Sequence, residues 1–173
     1  MYKTVTRHSS ISGKGTFITE NVRAGEFIKQ LTGEPVPVNQ ILQICAERGV
    51  SWDDPLQIDE NTYLILDEYS TTINHSCDPN VCLRNKNDLY AIKDIKAHEE
   101  LIFDYSTTEG IFIPWSMKCA CGAKQCRKVV GNVLSIPRDT LQKYIKLHAL
   151  QNHILRQLKI CDAKHLFDEK VEA

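Results

Sequence analysis

Ile73-Asn74-His75-Ser76-Cys77-Asp78-Pro79-Asn80 is the stretch on which the reading of this chain turns. One apolar residue leads into a run of side chains that each carry a hydrogen-bonding or metal-ligating atom, and Pro79 breaks any regular structure through it. Runs of this kind between strands form satisfied internal turns or ligand contacts. The residues alone leave both open.

The first hundred residues around it read as short strands punctuated by Gly, Pro, Asn and Asp, the pattern of a β-rich fold. Thr16 to Thr19, Glu26 to Leu31, Leu56 to Ile58 and Tyr63 to Leu66 are strand candidates. Asn80 to Arg84 and Leu89 to Lys93 flank a hairpin turn at Asn85-Lys86-Asn87-Asp88. Asn39 is placed to cap a short helix through Ile41, Leu42, Ile44 and Cys45, and Gly49 to end it. Glu100-Leu101-Ile102-Phe103-Asp104-Tyr105 is a last strand that closes on Asp-Tyr. Ser106 to Gly131 shows no regular period. After Pro137, Leu141, Tyr144, Ile145, Leu147, Leu150, Ile154 and Leu158 fall near helical spacing. The reading divides the chain into 1–112, 113–136 and a helical extension 137–173. That extension packs on its own domain or on a second copy as a dimer.

The chain has 173 residues and seven cysteines, an odd number unsuited to a disulfide framework. Cys45, Cys82 and Cys161 sit among apolar neighbours and read as small core residues. Cys119-Ala120-Cys121-Gly122 followed by Cys126 is different. Three thiols so close together suit zinc, which favours four ligands in a tetrahedron. Cys77 is the candidate for the fourth, and His75 is the alternative. Surface thiols and a nucleic-acid zinc module also fit the cluster taken alone. A net charge of −1 supplies no basic field for direct nucleic-acid binding. No apolar run reaches the roughly 20 residues of a membrane span. The polar start lacks a signal-peptide core, so the expectation is an intracellular soluble protein.

Taken in order, Gly13-Lys14-Gly15, Gly33-Glu34, the Asn74–Asn80 run, Glu100–Tyr105 and the Cys119–Cys126 cluster resemble the SET-domain protein-lysine methyltransferases with a post-SET zinc segment. The resemblance covers roughly residues 10–132. It implies a mostly β (α+β) fold of small sheets with a pseudoknot, in which the Asn-His-Ser-Cys segment passes beneath a loop. It implies S-adenosylmethionine as methyl donor and a protein or peptide lysine as acceptor, a histone being the default. A nuclear or chromatin-associated setting goes with such a substrate. The backbone of Lys14, Gly15 and Thr16 would contact the cofactor, with Asn74 and His75 at its two ends. Tyr105 would be the catalytic tyrosine, Phe103 a channel wall that sets the number of methyl groups, and Cys77, Cys119, Cys121 and Cys126 the ligands of one structural zinc. Leu31 stands where many members carry a tyrosine, and Tyr63 and Tyr69 are candidates for the missing ring. A SET-like scaffold without catalysis is the alternative reading of the same motifs.

Overall fold

Alternation of buried and exposed side chains in short runs builds five small sheets in place of one large one. The computed structural model describes residues 2–168, without the side chains from 161 onward, so the reading of Cys161 lies outside the described residues. In chain order the strands are β1 (Thr4–His8), β2 (Lys14–Ile18), β3 (Phe27–Gln30), β4 (Gly33–Pro37), β5 (Leu56–Gln57), β6 (Thr62–Leu66), β7 (Asn74–His75), β8 (Val81–Arg84), β9 (Asp88–Ala91), β10 (Ile102–Phe103), β11 (Ser116–Lys118) and β12 (Val129–Gly131). The helices are α1 (Ile41–Arg48), α2 (Arg138–Lys146) and α3 (Asn152–Asp168).

Hairpin β1-β2 stands alone, β9 lies between β3 and β8, and β6 lies between β4 and β5, all antiparallel. The expected hairpin of β8 and β9 is present, with Asn85 and Lys86 at positive φ in its turn. Ile28, Leu31, Val81, Leu83, Leu89, Ile95, Leu101 and Phe103 meet in the main core. Leu31 is fully buried there, so it packs the domain and lines no channel.

Three local readings are corrected. Helix α1 starts from Gln40, not from an Asn39 cap, and no side chain caps it; Gly49 closes it as expected, at φ 65° with its N–H on the Cys45 carbonyl. The hairpin strand β1 and strand β4 escaped the pattern reading, β1 because only one face of a two-stranded ribbon is covered. The stretch from Ser106 to Gly131 is not wholly irregular, since β11 and β12 pair across the cysteine cluster.

Two contacts place the site. Strands β7 and β10 pair in parallel, Asn74 opposite Ile102 and His75 opposite Phe103. The Asn80 side chain locks the same crossing, donating to the Glu100 carbonyl at 2.7 Å and accepting from the Ile102 N–H at 2.9 Å. Tyr144 of α2, Leu150 of the link after it and Ile154 of α3 are buried against Cys82, Val133 and Ile136, so the C-terminal stripe docks on the same chain. Ile145 remains exposed.

Candidate active site and cysteine centre

Because β10 ends at Phe103, the chain turns there into a short 3-10 helix, Tyr105–Thr107. The buried Asp104 carboxylate caps it, accepting from the Ser106 N–H at 3.1 Å. It also accepts from Arg127 Nη2 at 2.5 Å and from the Tyr144 hydroxyl at 3.1 Å. Tyr105 is thereby fixed between two cavities. Its hydroxyl donates to the Ile73 carbonyl at 2.8 Å, and its ring meets Phe103 at 4.7 Å and His75 at 5.2 Å between centroids. Burial, with the charges of Asp54 and Glu100, pushes the phenol well above its ordinary value, so Tyr105 stays protonated.

The first cavity is a narrow channel of about 60 Å³. Phe103, Tyr105 and Trp115 are its aromatic walls, Ile73 and Leu56 its aliphatic ones, and Asp53, Asp54 and Glu109 its acidic ones; no Lys or Arg lines it. Trp115 is held by its indole N–H on Asp53 Oδ1 at 3.0 Å. Neither candidate ring from the sequence is there. Tyr63 is buried behind Glu109, donating to its Oε2 at 3.0 Å, and Tyr69 is exposed on another face. Trp115 and Glu109 escaped the sequence reading. Their signal was slight: a single carboxylate in the otherwise uncharged run Ser106 to Ser116, and an aromatic just ahead of the cysteines.

The second cavity, about 330 Å³, lies on the other side of Tyr105, lined by Ile11, Ser12, Asn74, His75, Met117 and Cys119 among others. Asn74 Nδ2 bridges the carbonyls of Ser12 and Lys14, each at 3.1 Å, and Glu100 Oε1 at 2.7 Å. The Gly13 turn is thus tied to the Asn-His-Ser-Cys segment. Lys14, Gly15 and Thr16 run alongside on β2, while the cavity wall itself comes from Ile11 and Ser12. Thr16 is buried with its hydroxyl 2.7 Å from that of Thr72, and the Lys14 ammonium lies outside, 3.7 Å from Glu68.

Cys119 and Cys121 line this cavity, and Cys77 and Cys126 lie against them. Cys77 Sγ lies 3.9 Å from Cys119 Sγ, and Cys126 Sγ lies 3.7 Å from Cys119 Sγ. Cys121 Sγ accepts from the Cys77 N–H at 3.4 Å. A zinc with bonds of roughly 2.3 Å to four thiolates sets its sulfurs roughly 3.8 Å apart, so the cluster has the dimensions of a metal site. His75, Cys77, Cys119 and Cys121 present ligand atoms within 4.8 Å of one another, which leaves His75 to be weighed against Cys126. The tautomer decides. His75 Nδ1 accepts from the Tyr105 N–H at 3.2 Å, so Nε2 carries the proton and points it at Cys77 Sγ, 3.4 Å away. A protonated nitrogen cannot ligate; it serves as a donor to the sulfur, as does the Arg127 side chain at 3.5 Å. Burial pushes His75 down to about 4, against the pull of Asp104. Burial opposes ionisation of Cys121, yet N–H groups of Cys77 and Ala123 and the thiols of Cys119 and Cys126 outweigh it and bring it to about 6.

Known proteins resemble this chain in sequence and in fold. The Su(var)3-9 histone-lysine N-methyltransferase of Drosophila pseudoobscura is 29% identical over 158 residues, which is 70% of this chain and 24% of the relative. The H3 lysine-4 specific histone-lysine N-methyltransferase of Saccharomyces cerevisiae is 29% identical over 132 residues, 69% of this chain and 12% of its own length. The chain therefore spans a quarter or less of these relatives. Among solved structures, a humanized mutant of the Chaetomium thermophilum Polycomb Repressive Complex 2 bound to the inhibitor GSK126 matches with a TM-score of 0.53 at 28% identity, over 62% of this chain and 15% of that one. A ctPRC2 structure in an autoinhibited conformation bound to S-adenosylmethionine matches at 0.51 and 27%, over 62% and 15%. The SET-domain family profile matches residues 13–106, from the Gly13 turn through Ser106, and with that match over more than half its length the chain belongs to the SET-domain family.

Proposed function

We propose that this chain is a protein-lysine N-methyltransferase that uses S-adenosylmethionine. One observation carries the reading: Tyr105 lines both cavities, so a side chain entering the narrow channel meets a ligand in the larger one at a single hydroxyl. The cofactor supplies a methyl group on a positively charged sulfonium. The larger cavity suits it, lined by Ser12, Asn74 and His75.

The chain's own work is positional. Phe103, Tyr105 and Trp115 form an aromatic sleeve for four methylenes and desolvate the amine. The Tyr105 hydroxyl, kept protonated and anchored on Ile73, orients the reacting centre and supplies a fixed dipole. Phe103 carries no hydroxyl to hold a water against the amine, which favours di- or trimethyl-lysine as product. Cys77, Cys119, Cys121 and Cys126 hold one structural zinc that fastens β11 and β12 to the Asn-His-Ser-Cys segment. Lys14, Gly15 and Thr16 keep the Gly13 turn in register beside the cofactor. The acceptor is a lysine in a protein tail, with a histone first in line because the relatives are named for histone lysines. Transfer of a labelled methyl group to the ε-amine of a histone-tail peptide tests the proposal. Cofactor binding without transfer to any lysine peptide overturns it in favour of a scaffold.

A further inference from the structure

Methyl transfer needs a neutral amine, and near pH 7 a free lysine is almost wholly protonated, with a pKa near 10.4. Tyr105 cannot take the proton, because its phenol is itself held protonated. Glu109 is the buried carboxyl in the channel wall. Its Oε2 accepts from the Tyr63 hydroxyl, and it makes no ion pair among the described residues. The two residues that follow it are held by glutamines from β5 and α3. Gly110 N–H donates to Gln57 Oε1 and Ile111 N–H to Gln157 Oε1, each at 2.9 Å. A side chain at Gly110 would press on the amide ends of Gln157 and Gln57, so the backbone beside Glu109 lies close against both glutamines. The Tyr63 hydroxyl thus orients the carboxyl in the wall of a cavity that holds little more than the end of a lysine.

Resting on the proposed methyltransferase reading, we infer that Glu109 receives the proton of the target lysine inside the channel. The ε-ammonium N–H bond breaks, its electron pair stays on nitrogen, and the proton passes to the Glu109 carboxylate. The neutral amine then holds the lone pair that attacks the methyl group, and Glu109 returns the proton to solvent after product leaves. In a dry cavity the neutral pair of amine and carboxylic acid is favoured over the ion pair. Asp53 and Asp54 at the exposed edge draw the ammonium in.

The titration of Glu109 fits the role. Burial, with the charge of Asp53, pushes it up to about 7 against the Tyr63 hydrogen bond that lowers it. The other titratable groups around it are Asp54 on the same loop, Tyr105 on the 3-10 helix, and His153 of α3, which meets the neighbouring Thr108 carbonyl at 2.9 Å. None is a cation at neutral pH except a protonated His153, and burial pushes His153 down.

The test is the pH dependence of kcat/KM on a methyl-accepting lysine peptide. Wild-type rates should rise with pH and level off above about pH 7. Glu109→Gln keeps the acceptor for Tyr63, so it should fold and bind S-adenosylhomocysteine as wild type does. Its rate near pH 7 should fall at least about 10²-fold and climb tenfold per unit to beyond pH 9. Tyr63→Phe, which removes the bond that favours the carboxylate, should move the wild-type inflection to higher pH. An unchanged profile in both variants overturns the inference while the methyltransferase reading stands. A wild-type protein that binds cofactor and methylates no lysine overturns the reading itself.

Discussion

The Tyr144 hydroxyl of α2 donates to the same Asp104 carboxylate whose other oxygen holds Arg127 and caps the helix carrying Tyr105. The C-terminal extension is thereby wired to the residue adjoining the candidate catalytic tyrosine.

Tyr144→Phe removes that one bond and keeps the ring. A hydrogen bond to a buried charge is worth about 2 kcal/mol, which for a chain of this size lowers Tm by roughly 4–8 °C. Because Asp104 aims Tyr105, kcat should fall as well, with cofactor affinity preserved. An unchanged Tm and kcat would mean that α2 is only laid against the domain.

Metal analysis should find one zinc per chain. Cys121→Ser should lose it and cost on the order of 3 kcal/mol, a fall in Tm of roughly 6–12 °C. His75→Ala should retain the metal, since His75 faces Cys77 as a donor. A zinc-free His75→Ala with zinc-bound Cys126→Ser would reverse the ligand assignment.

Much of this was readable in advance, for reasons the residues make plain. Three thiols within eight positions admit few uses, and Asn74, His75 and Tyr105 come together because β7 and β10, far apart in sequence, pair in parallel. The order of motifs carried that information; no single one did. The channel was less legible. Trp115 reaches it from a loop packed against Cys77 and Cys119, and the segment after Glu109 is held by Gln157 of α3, beyond the motifs. Tyr63 and Tyr69 were reasonable candidates by residue type, but β6 set Tyr63 behind Glu109 and the turn before Ser70 left Tyr69 exposed. Lys14, Gly15 and Thr16 pair with β1, and the turn before them, at Ile11 and Ser12, supplies the surface of the larger cavity.

Phe103 lies in the channel wall against Tyr105. Phe103→Tyr adds a hydroxyl able to hold a water where a second methyl group would turn. Mass spectrometry at long incubation should show di- or trimethyl-lysine from wild type and mainly monomethyl-lysine from the variant. Equal product distributions would remove Phe103 from control of the count.

Glu109 also makes stability depend on pH. Its folded pKa, about 7, lies above the ordinary value of 4.5. The folded state thus holds this proton more tightly than the unfolded one. The stability it contributes is present below pH 4.5 and is lost as pH rises through 7. The amount is on the order of 3 kcal/mol. Other titrating groups are common to both proteins, so the difference between Glu109→Gln and wild type isolates it. The variant should gain relative stability from pH 5 to pH 8; parallel curves would mean that Glu109 titrates normally.

The proposed methyl transfer requires Tyr105 to stand where a lysine and the methyl donor meet. Wild type and Tyr105→Phe should be compared with methyl-labelled S-adenosylmethionine and histone-tail peptides, the labelled atom located by mass spectrometry. The account predicts label on a lysine ε-nitrogen and a loss of at least about 10²-fold in the variant, with Tm and S-adenosylhomocysteine affinity unchanged. Equal rates in the two proteins, or label on any other atom, would contradict it.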